Sequence, residues 1–165
     1  MALERGGAGL LAEIEPLWLA LFDHHRAIGS AGLPTINRTE TWPRRRALYE
    51  KLLATPDAFV LVARRAGVAV GYALVHVHEG ADDTWPTGER IAELESFAVL
   101  AGERGRGVGT LLLDAADADL AALGITDMIV AVLVGNTAAE ELYRRRGLVP
   151  AMTKMIRLGE GHGGR

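Results

Sequence analysis

The sequence predicts an α/β domain with a mixed, mostly antiparallel central sheet flanked by helices. Residues 59–78 carry two apolar segments with a period of two, separated by a short turn, as in a β-hairpin. Residues 97–113 have the pattern of a strand, a loop rich in glycine and arginine, and a helix that begins at once. Helical patterns also precede the hairpin and follow the loop. The length of 165 residues favours a single domain, 1–165, with a sizeable core.

Composition narrows the class of protein. Hydrophobic residues make up 49% and charged residues 24%, which is typical of a globular protein, and the net charge of -3 does not favour nucleic acid as a partner. The absence of cysteine excludes disulfides, cysteine-ligated zinc and a cysteine nucleophile. No apolar run approaches the ~20 residues of a membrane span, and no signal peptide is recognised. We therefore expect a soluble cytoplasmic protein with no membrane partner.

The first third of the chain is predicted to be helical after a loose start. Residues 1–9 are glycine-rich and expected to be flexible. Apolar residues recur at helical spacing over 10–28, which predicts a first helix. A loop follows over 29–43, and a second helix is predicted over 43–53, with its proline in the first turn. The arginine run at 44–46 is interpreted as a solvated face.

The hairpin is predicted as strands 59–63 and 68–78 around a turn at 64–67. His76 and His78 share one face of the second strand because side chains alternate along a strand. They are metal ligands, substrate contacts or polar residues on a wet face; the last two are favoured because no third ligand is visible. Together with Trp42 and Trp85, they are candidate wall residues of an acceptor site.

A third strand is predicted over 90–100, after a loop at 79–89. Strict alternation places Ile91, Glu93, Glu95, Phe97 and Val99 on one face. Two carboxylates beside apolar side chains are unexpected on a core face. Either this face opens to solvent near Glu93 and Glu95, or the carboxylates line a polar cleft, and the pattern leaves both interpretations open.

The second half alternates helices and strands. A helix is predicted over 108–123 with Gly124 at its end, then an apolar strand over 126–134 buried inside the sheet. Asn136 or Thr137 caps the next helix, 136–146. A last strand is predicted over 152–158, and residues 159–165 are expected to be flexible.

The glycine-rich loop at 104–109 is a candidate anion site. The first amides of a helix lack intrahelical partners and carry partial positive charge, and glycines let a ligand approach the backbone closely. Arg104 and Arg106 add fixed charge. The loop is therefore a site for phosphate or pyrophosphate, or a glycine-rich turn with solvated arginines. A Walker A loop lacks its lysine here, and the dinucleotide fingerprint meets Thr110 where its third glycine belongs.

Two motifs in order are more specific than the loop alone. Arg104-x-x-Gly107-x-Gly109 follows the acidic strand that contains Glu93 and Glu95. Residues 136–148 then read Asn-x-x-Ala-x-x-x-Tyr-x-x-x-Gly-Leu, with the tyrosine at Tyr143. Over residues 58–158 the chain resembles the GNAT superfamily of N-acetyltransferases. That family usually opens with a short strand, which is missing or very short within 1–9.

The resemblance implies a direct transfer of an acetyl group from acetyl-CoA to a primary amine, in a ternary complex. A wedge after Val99 and before Asn136 would hold acetyl-CoA, and Tyr143 would protonate the leaving thiolate. Glu93 matches the general base of some members, and Glu95 is the second candidate. The implied cofactor-binding residues are Phe97, Ala98, Val99, Arg104, Gly105, Arg106, Gly107, Val108, Gly109, Thr110 and Asn136.

Three questions stay open at this level. The acceptor is a small-molecule amine or a peptide or protein amine. A homodimer is possible because the family commonly dimerises. The alternative functions are a non-catalytic acyl-CoA-binding regulatory module and a nucleotide-binding fold.

Overall fold

The computed structural model describes residues 1–29, 33–80 and 84–159. Its sheet has five strands in the order β1-β2-β3-β4-β5; the first four are antiparallel, and β5 runs parallel to β4. This confirms the mixed, mostly antiparallel sheet flanked by helices. The elements in chain order are β1 (Ala2–Gly6), α1 (Leu11–Ile28), α2 (Arg38–Leu53), β2 (Phe59–Arg65), β3 (Val68–Glu79), β4 (Arg90–Val99), α3 (Val108–Ala122), β5 (Met128–Val130) and α4 (Thr137–Arg144).

Each face of the sheet is covered by its own apolar core. On one face α1 and α2 pack on Val62, Tyr72 and Leu74, with Trp18, Trp42 and Tyr49 among the buried side chains. On the other face α3 and α4 pack on the side chains that point the opposite way, such as Ala73 and Leu94. We call these the α1/α2 face and the α3/α4 face.

The loose start predicted for residues 1–9 is wrong for most of that segment. Ala2–Gly6 form β1, which pairs with β2 from Ala2–Arg64 to Gly6–Val60. The apolar pattern of the sequence does not reveal this strand, because β1 is an exposed edge held by backbone hydrogen bonds and ion pairs. Arg64 binds the carboxylates of Glu4 and Glu13, and Arg5 binds Asp119 of α3 at 2.8 Å. Residues 1–9 therefore contain the short first strand that the resemblance implies.

The second helix starts earlier than predicted. The Asn37 side chain accepts a hydrogen bond from the Thr39 amide at 3.0 Å and so caps α2 six residues before Pro43. Pro43 consequently lies inside the helix rather than in its first turn. This longer helix brings Arg45 of the arginine run over the sheet, 2.8 Å from Glu95.

Strand β4 contains a β-bulge at Glu95. Leu74 of β3 is opposite Ser96, but the next residue, Val75, is opposite Leu94, so Glu95 has no partner in the ladder. A bulge shifts the alternation of side chains along the strand. The single face predicted for Ile91, Glu93, Glu95, Phe97 and Val99 is therefore wrong. Phe97 and Val99 pack on the α3/α4 face, whereas Glu95 binds Arg45 of α2 on the α1/α2 face.

The strand predicted over 126–134 is shorter and less buried than expected. β5 covers three residues and pairs with Ala92–Leu94 only, and Ile129 is 41% exposed. The last strand predicted over 152–158 is also wrong, because residues 151–159 have no regular structure and Met152 and Ile156 are exposed. Apolar residues form a strand only where a neighbouring strand can hydrogen-bond to them. With three residues, β5 is too short to pair with the segment 152–158.

The remaining expectations concern loops, ends and location. The loops predicted at 29–43 and 79–89 fall partly on residues 30–32 and 81–83, and the tail at 159–165 falls largely on 160–165, all outside the described residues. Among the helices of the described ranges, none combines the length and apolarity needed to cross a bilayer. The cytoplasmic location stays a prediction.

Candidate active site

A cleft runs along β4 at the point where β5 separates from it. The parallel ladder ends at the pair Leu94–Val130, immediately before the bulge at Glu95. Beyond it, residues 131–133 leave the ladder and, with Val130, form the opposite wall. The other walls are α1, α2 and α4, and the lining residues include Trp18, His25, Arg45, Glu95, Ser96, Phe97, Asn136 and Tyr143.

This cleft passes through the sheet. Arg45 and Trp18 belong to the α1/α2 face, whereas Phe97 and Tyr143 belong to the α3/α4 face, yet all of them line it. Within the described residues, β4 has no strand partner beyond Leu94 on this side. Its backbone from Glu95 to Val99 is thus an open strand edge, able to pair with an extended ligand that carries amides.

The glycine-rich loop lies at the α3/α4 side of the cleft. Gly105 and Gly107 have φ values of +72° and +79°, a left-handed conformation that other residues rarely adopt. Gly107 precedes the first residue of α3, and in the described part of the chain no side chain caps that helix. A Cβ added to Gly109 would lie 3.2 Å from the Phe97 ring, so the helix start abuts the cleft wall. The amides at this helix start can accept an anion.

The two arginines of the loop have different environments. Arg104 Nε donates to the Val99 carbonyl at 3.2 Å and ties the loop to the end of β4. Arg106 has an exposed side chain whose nitrogen lies 3.7 Å from Glu103, which also binds Arg65 at 2.9 Å. Both arginines are exposed, but Arg104 is bound to the end of β4, whereas Arg106 makes the longer contact with Glu103 beside the helix start.

Tyr143 reaches the cleft from α4. Its ring centroid lies 6.4 Å from that of Phe97 in an edge-to-face contact, and the residue is 8% exposed. Burial raises the pKa of Tyr143 to about 12, so its hydroxyl is protonated at neutral pH. Asn136 holds the start of α4 by accepting from the Ala139 amide at 3.3 Å, and Arg146 joins its end to α3 through Asp114 at 2.9 Å.

The two acidic residues of β4 occupy different surroundings. Glu95 lines the cleft, and its Oε1 accepts from Arg45 at 2.8 Å. Burial raises the pKa of Glu95, an effect that the nearby Arg45 opposes. Glu93 lies away from the cleft lining, with Oε2 3.4 Å from His76 Nε2, and this histidine lowers the pKa of Glu93. The sequence left open whether this face opens to solvent or lines a polar cleft, and the structure supports a polar cleft at Glu95.

Some of the residues predicted for the site do not line the cleft with their side chains. Ala98 is buried on the α1/α2 face, and Val99 packs on the α3/α4 face, so only their backbone is available. Trp42 is a core residue, with its ring 5.9 Å from that of Trp18. Trp85 is 40% exposed and lies outside the cleft lining.

Sequence reasoning missed Arg45. Its guanidinium lies over the rings of Trp18 and Tyr49, at 5.5 and 5.6 Å, while it binds Glu95. A signal was present, because Trp42, Arg45 and Tyr49 are spaced by three and four residues and share one face of a helix. The tryptophan and the tyrosine mark that face as the buried one, and the arginine between them cannot be an ordinary solvated residue.

Comparisons with known proteins match this chain to acetyltransferases. The model of a family described as the acetyltransferase (GNAT) family matches residues 15–148. A mycothiol acetyltransferase of Thermobispora bispora is 34% identical over 140 residues, an alignment that covers 81% of this chain and 42% of that protein. The chain thus spans less than half the length of this curated relative.

Solved structures agree on the fold. A GCN5-related N-acetyltransferase from Ralstonia eutropha superposes with a TM-score of 0.74 at 20% identity, covering 97% of this chain and 99% of that one. The aminoglycoside N-acetyltransferase AAC(6')-Iy, solved in complex with CoA, gives a TM-score of 0.71 at 18% identity over 96% and 94% of the two chains. A ribosomal-protein-alanine N-acetyltransferase from Brucella melitensis gives 0.65 at 18% identity over 96% and 100%.

Proposed function

This chain belongs to the acetyltransferase (GNAT) family, and on that premise we propose that it transfers an acetyl group from acetyl-CoA to a primary amine. One observation carries the proposal. A cleft that passes through the sheet is lined by a protonated tyrosine from one face and a carboxylate from the other, namely Tyr143 and Glu95. The two substrates can therefore meet inside the sheet while entering from opposite faces.

Acetyl-CoA fits the α3/α4 side. Its pyrophosphate would lie on the amides of 104–110, at the uncapped start of α3, beside Arg106. The two amides of its pantetheine arm would pair with the open backbone edge at Phe97, Ala98 and Val99. Asn136, across the cleft, would contact the same arm. The CoA bound to the aminoglycoside acetyltransferase of the same fold supports this choice of ligand.

The reaction needs one proton acceptor and one proton donor. A neutral amine attacks the thioester carbon, the C–N bond forms, the C–S bond breaks, and the amine loses a proton. Tyr143 would give its hydroxyl proton to the leaving CoA thiolate. Of the two carboxylates, Glu95 is the better placed proton acceptor because it lines the cleft, whereas Glu93 does not.

Direct transfer in a ternary complex is part of the proposal. The chain contains no cysteine that could form an acetyl-cysteine intermediate. Holding both substrates in one cleft supplies rate by proximity. The acceptors named for the relatives differ, and they support a primary amine on a small molecule, peptide or protein without selecting one. The homodimer stays a prediction.

A non-catalytic acyl-CoA-binding module is the second candidate. It would use the same loop and strand edge, but it would need neither Tyr143 nor Glu95 in the cleft. Mixing the protein with acetyl-CoA and a panel of primary amines, and measuring released CoA thiol, separates the two. We expect amine-dependent release with at least one acceptor class. Acetyl-CoA binding without release across aminoglycosides, polyamines, amino acids and peptides would favour the module.

Removing the Tyr143 hydroxyl tests the proton donor. With the acceptor found by that screen, Tyr143→Phe should lower kcat by about 100-fold, the range of a lost acid–base group, while acetyl-CoA affinity changes little. Tyr49→Phe is the matched control, since Tyr49 is buried but outside the cleft lining, and it should keep full activity. Unchanged kcat in Tyr143→Phe would remove this hydroxyl from the mechanism.

Comparing the two glutamates tests the proton acceptor. Glu95→Gln keeps the shape of the side chain but cannot take a proton, so kcat/KM should fall by about 100-fold. Glu93→Gln should cost clearly less, because that residue lies off the cleft. The measurement is steady-state kinetics on both variants, with a chelator present to remove metal ions. A larger loss in Glu93→Gln would reverse the assignment.

A further inference from the structure

Three side chains beside the cleft bring their acceptor atoms together. His76 Nε2 lies 3.4 Å from Glu93 Oε2 and 3.9 Å from Glu95 Oε2, and one ligand atom from each residue lies within 4.8 Å of the others. We call these residues the β3–β4 cluster. They are half-buried, with side-chain exposures of 12% for His76 and 17% for Glu95. His78 flanks the cluster, its Nε2 3.6 Å from Glu93.

The two separations from Glu93 are those expected around a shared cation, whereas the 3.9 Å between His76 Nε2 and Glu95 Oε2 is a few tenths of an ångström longer. A charge-assisted hydrogen bond between imidazolium and carboxylate is about 2.7–2.9 Å long, shorter than each of these contacts. Ligand atoms held tetrahedrally at about 2.0–2.2 Å from a metal ion are instead about 3.3–3.6 Å apart. The contacts of Glu93 with His76 and His78, at 3.4 and 3.6 Å, match this spacing.

The hydrogen bonds around the cluster leave its inner atoms as acceptors. His78 Nδ1 lies 2.8 Å from the Glu79 carbonyl, which can only accept, so Nδ1 donates to it; in the neutral tautomer that this bond selects, Nε2 carries a lone pair toward Glu93. Glu95 uses Oε1 for Arg45 and presents Oε2 to His76. Such outer partners are the arrangement that orients metal ligands.

We propose that the β3–β4 cluster binds one divalent transition-metal ion, with Zn²⁺ the best fit. The ligands are His76 Nε2, Glu93 Oε2 and Glu95 Oε2, and a fourth position is left for water or His78. One imidazole and two carboxylates suit Zn²⁺, whereas Mg²⁺ and Ca²⁺ prefer oxygen ligands alone. The two carboxylates offset the charge of the ion. Arg45 beside Glu95 and Lys154 near Glu93 are the cations that oppose metal binding.

The metal site shares Glu95 with the proposed acetyl transfer, so the two proposals are tested apart. Glu95 cannot accept a proton while its oxygen holds the ion, so metal binding should slow transfer rather than support it. The metal is therefore measured without acetyl-CoA or acceptor, and transfer is measured with a chelator present. Failure of either proposal leaves the other unaffected.

Calorimetric titration of the chelator-treated full chain with ZnCl₂ tests the site. We expect one ion per chain, and a loss of affinity of about 100-fold or more in His76→Gln and in Glu93→Gln. His78→Gln should lower the affinity less, by about 10-fold, because water can take the fourth position in its place. His24→Gln, on α1 and outside the cluster, is the matched control and should bind like the parent protein. Circular dichroism confirms that each variant is folded.

Co²⁺ gives a second, independent readout. Bound in a four-coordinate site it should produce visible absorption bands that Zn²⁺ displaces and that Glu93→Gln abolishes. Absence of Zn²⁺ binding to the parent protein would overturn the proposal. Binding that survives in both His76→Gln and Glu93→Gln, or that His24→Gln removes, would overturn it as well.

Discussion

The β-bulge at Glu95 is the constraint on which the candidate site depends. One extra residue in β4 ends the parallel ladder with β5 at Leu94 and lets the following segment diverge. The same bulge shifts the alternation of side chains, so Glu95 points to the α1/α2 face while Phe97 points to the α3/α4 face. A regular strand would leave neither an opening through the sheet nor two chemically different walls.

The helices then add charged groups on both sides of this opening. The uncapped start of α3 is a positive end against the Phe97 wall, suited to the phosphates of a cofactor. On the opposite face Arg45, held over two aromatic rings, fixes one oxygen of Glu95, and the other oxygen lies 3.9 Å from His76. Under the proposed function, the cofactor side would be fixed by the backbone and the acceptor side by side chains.

The sequence predicted those parts of the fold that depend on local patterns. The hairpin, α1, α3, α4 and the glycine loop follow from periodicity and helix-end residues. It could not predict the bulge, because an extra residue leaves no mark in an apolar pattern, and Glu93 and Glu95 were therefore placed on one face with Phe97. It also missed β1, an exposed edge held by Arg64 and Arg5, and predicted strands at 126–134 and 152–158 from apolar content alone. Of the residues predicted for the site, Tyr143, Glu95, Phe97 and Asn136 line the cleft, and their roles stay predictions. Arg45 was missed because it lies in an arginine run interpreted as a solvated face.

The most direct test of the account is amide hydrogen exchange with and without acetyl-CoA. If the bulge opens β4 to the cofactor, acetyl-CoA should slow exchange at the amides of 95–99 and of 106–110, and leave the edge strand Ala2–Gly6 unchanged. ATP and NAD should have no such effect. Unchanged exchange in both segments, or equal protection by ATP, would contradict the proposal that this cleft is the acetyl-CoA site.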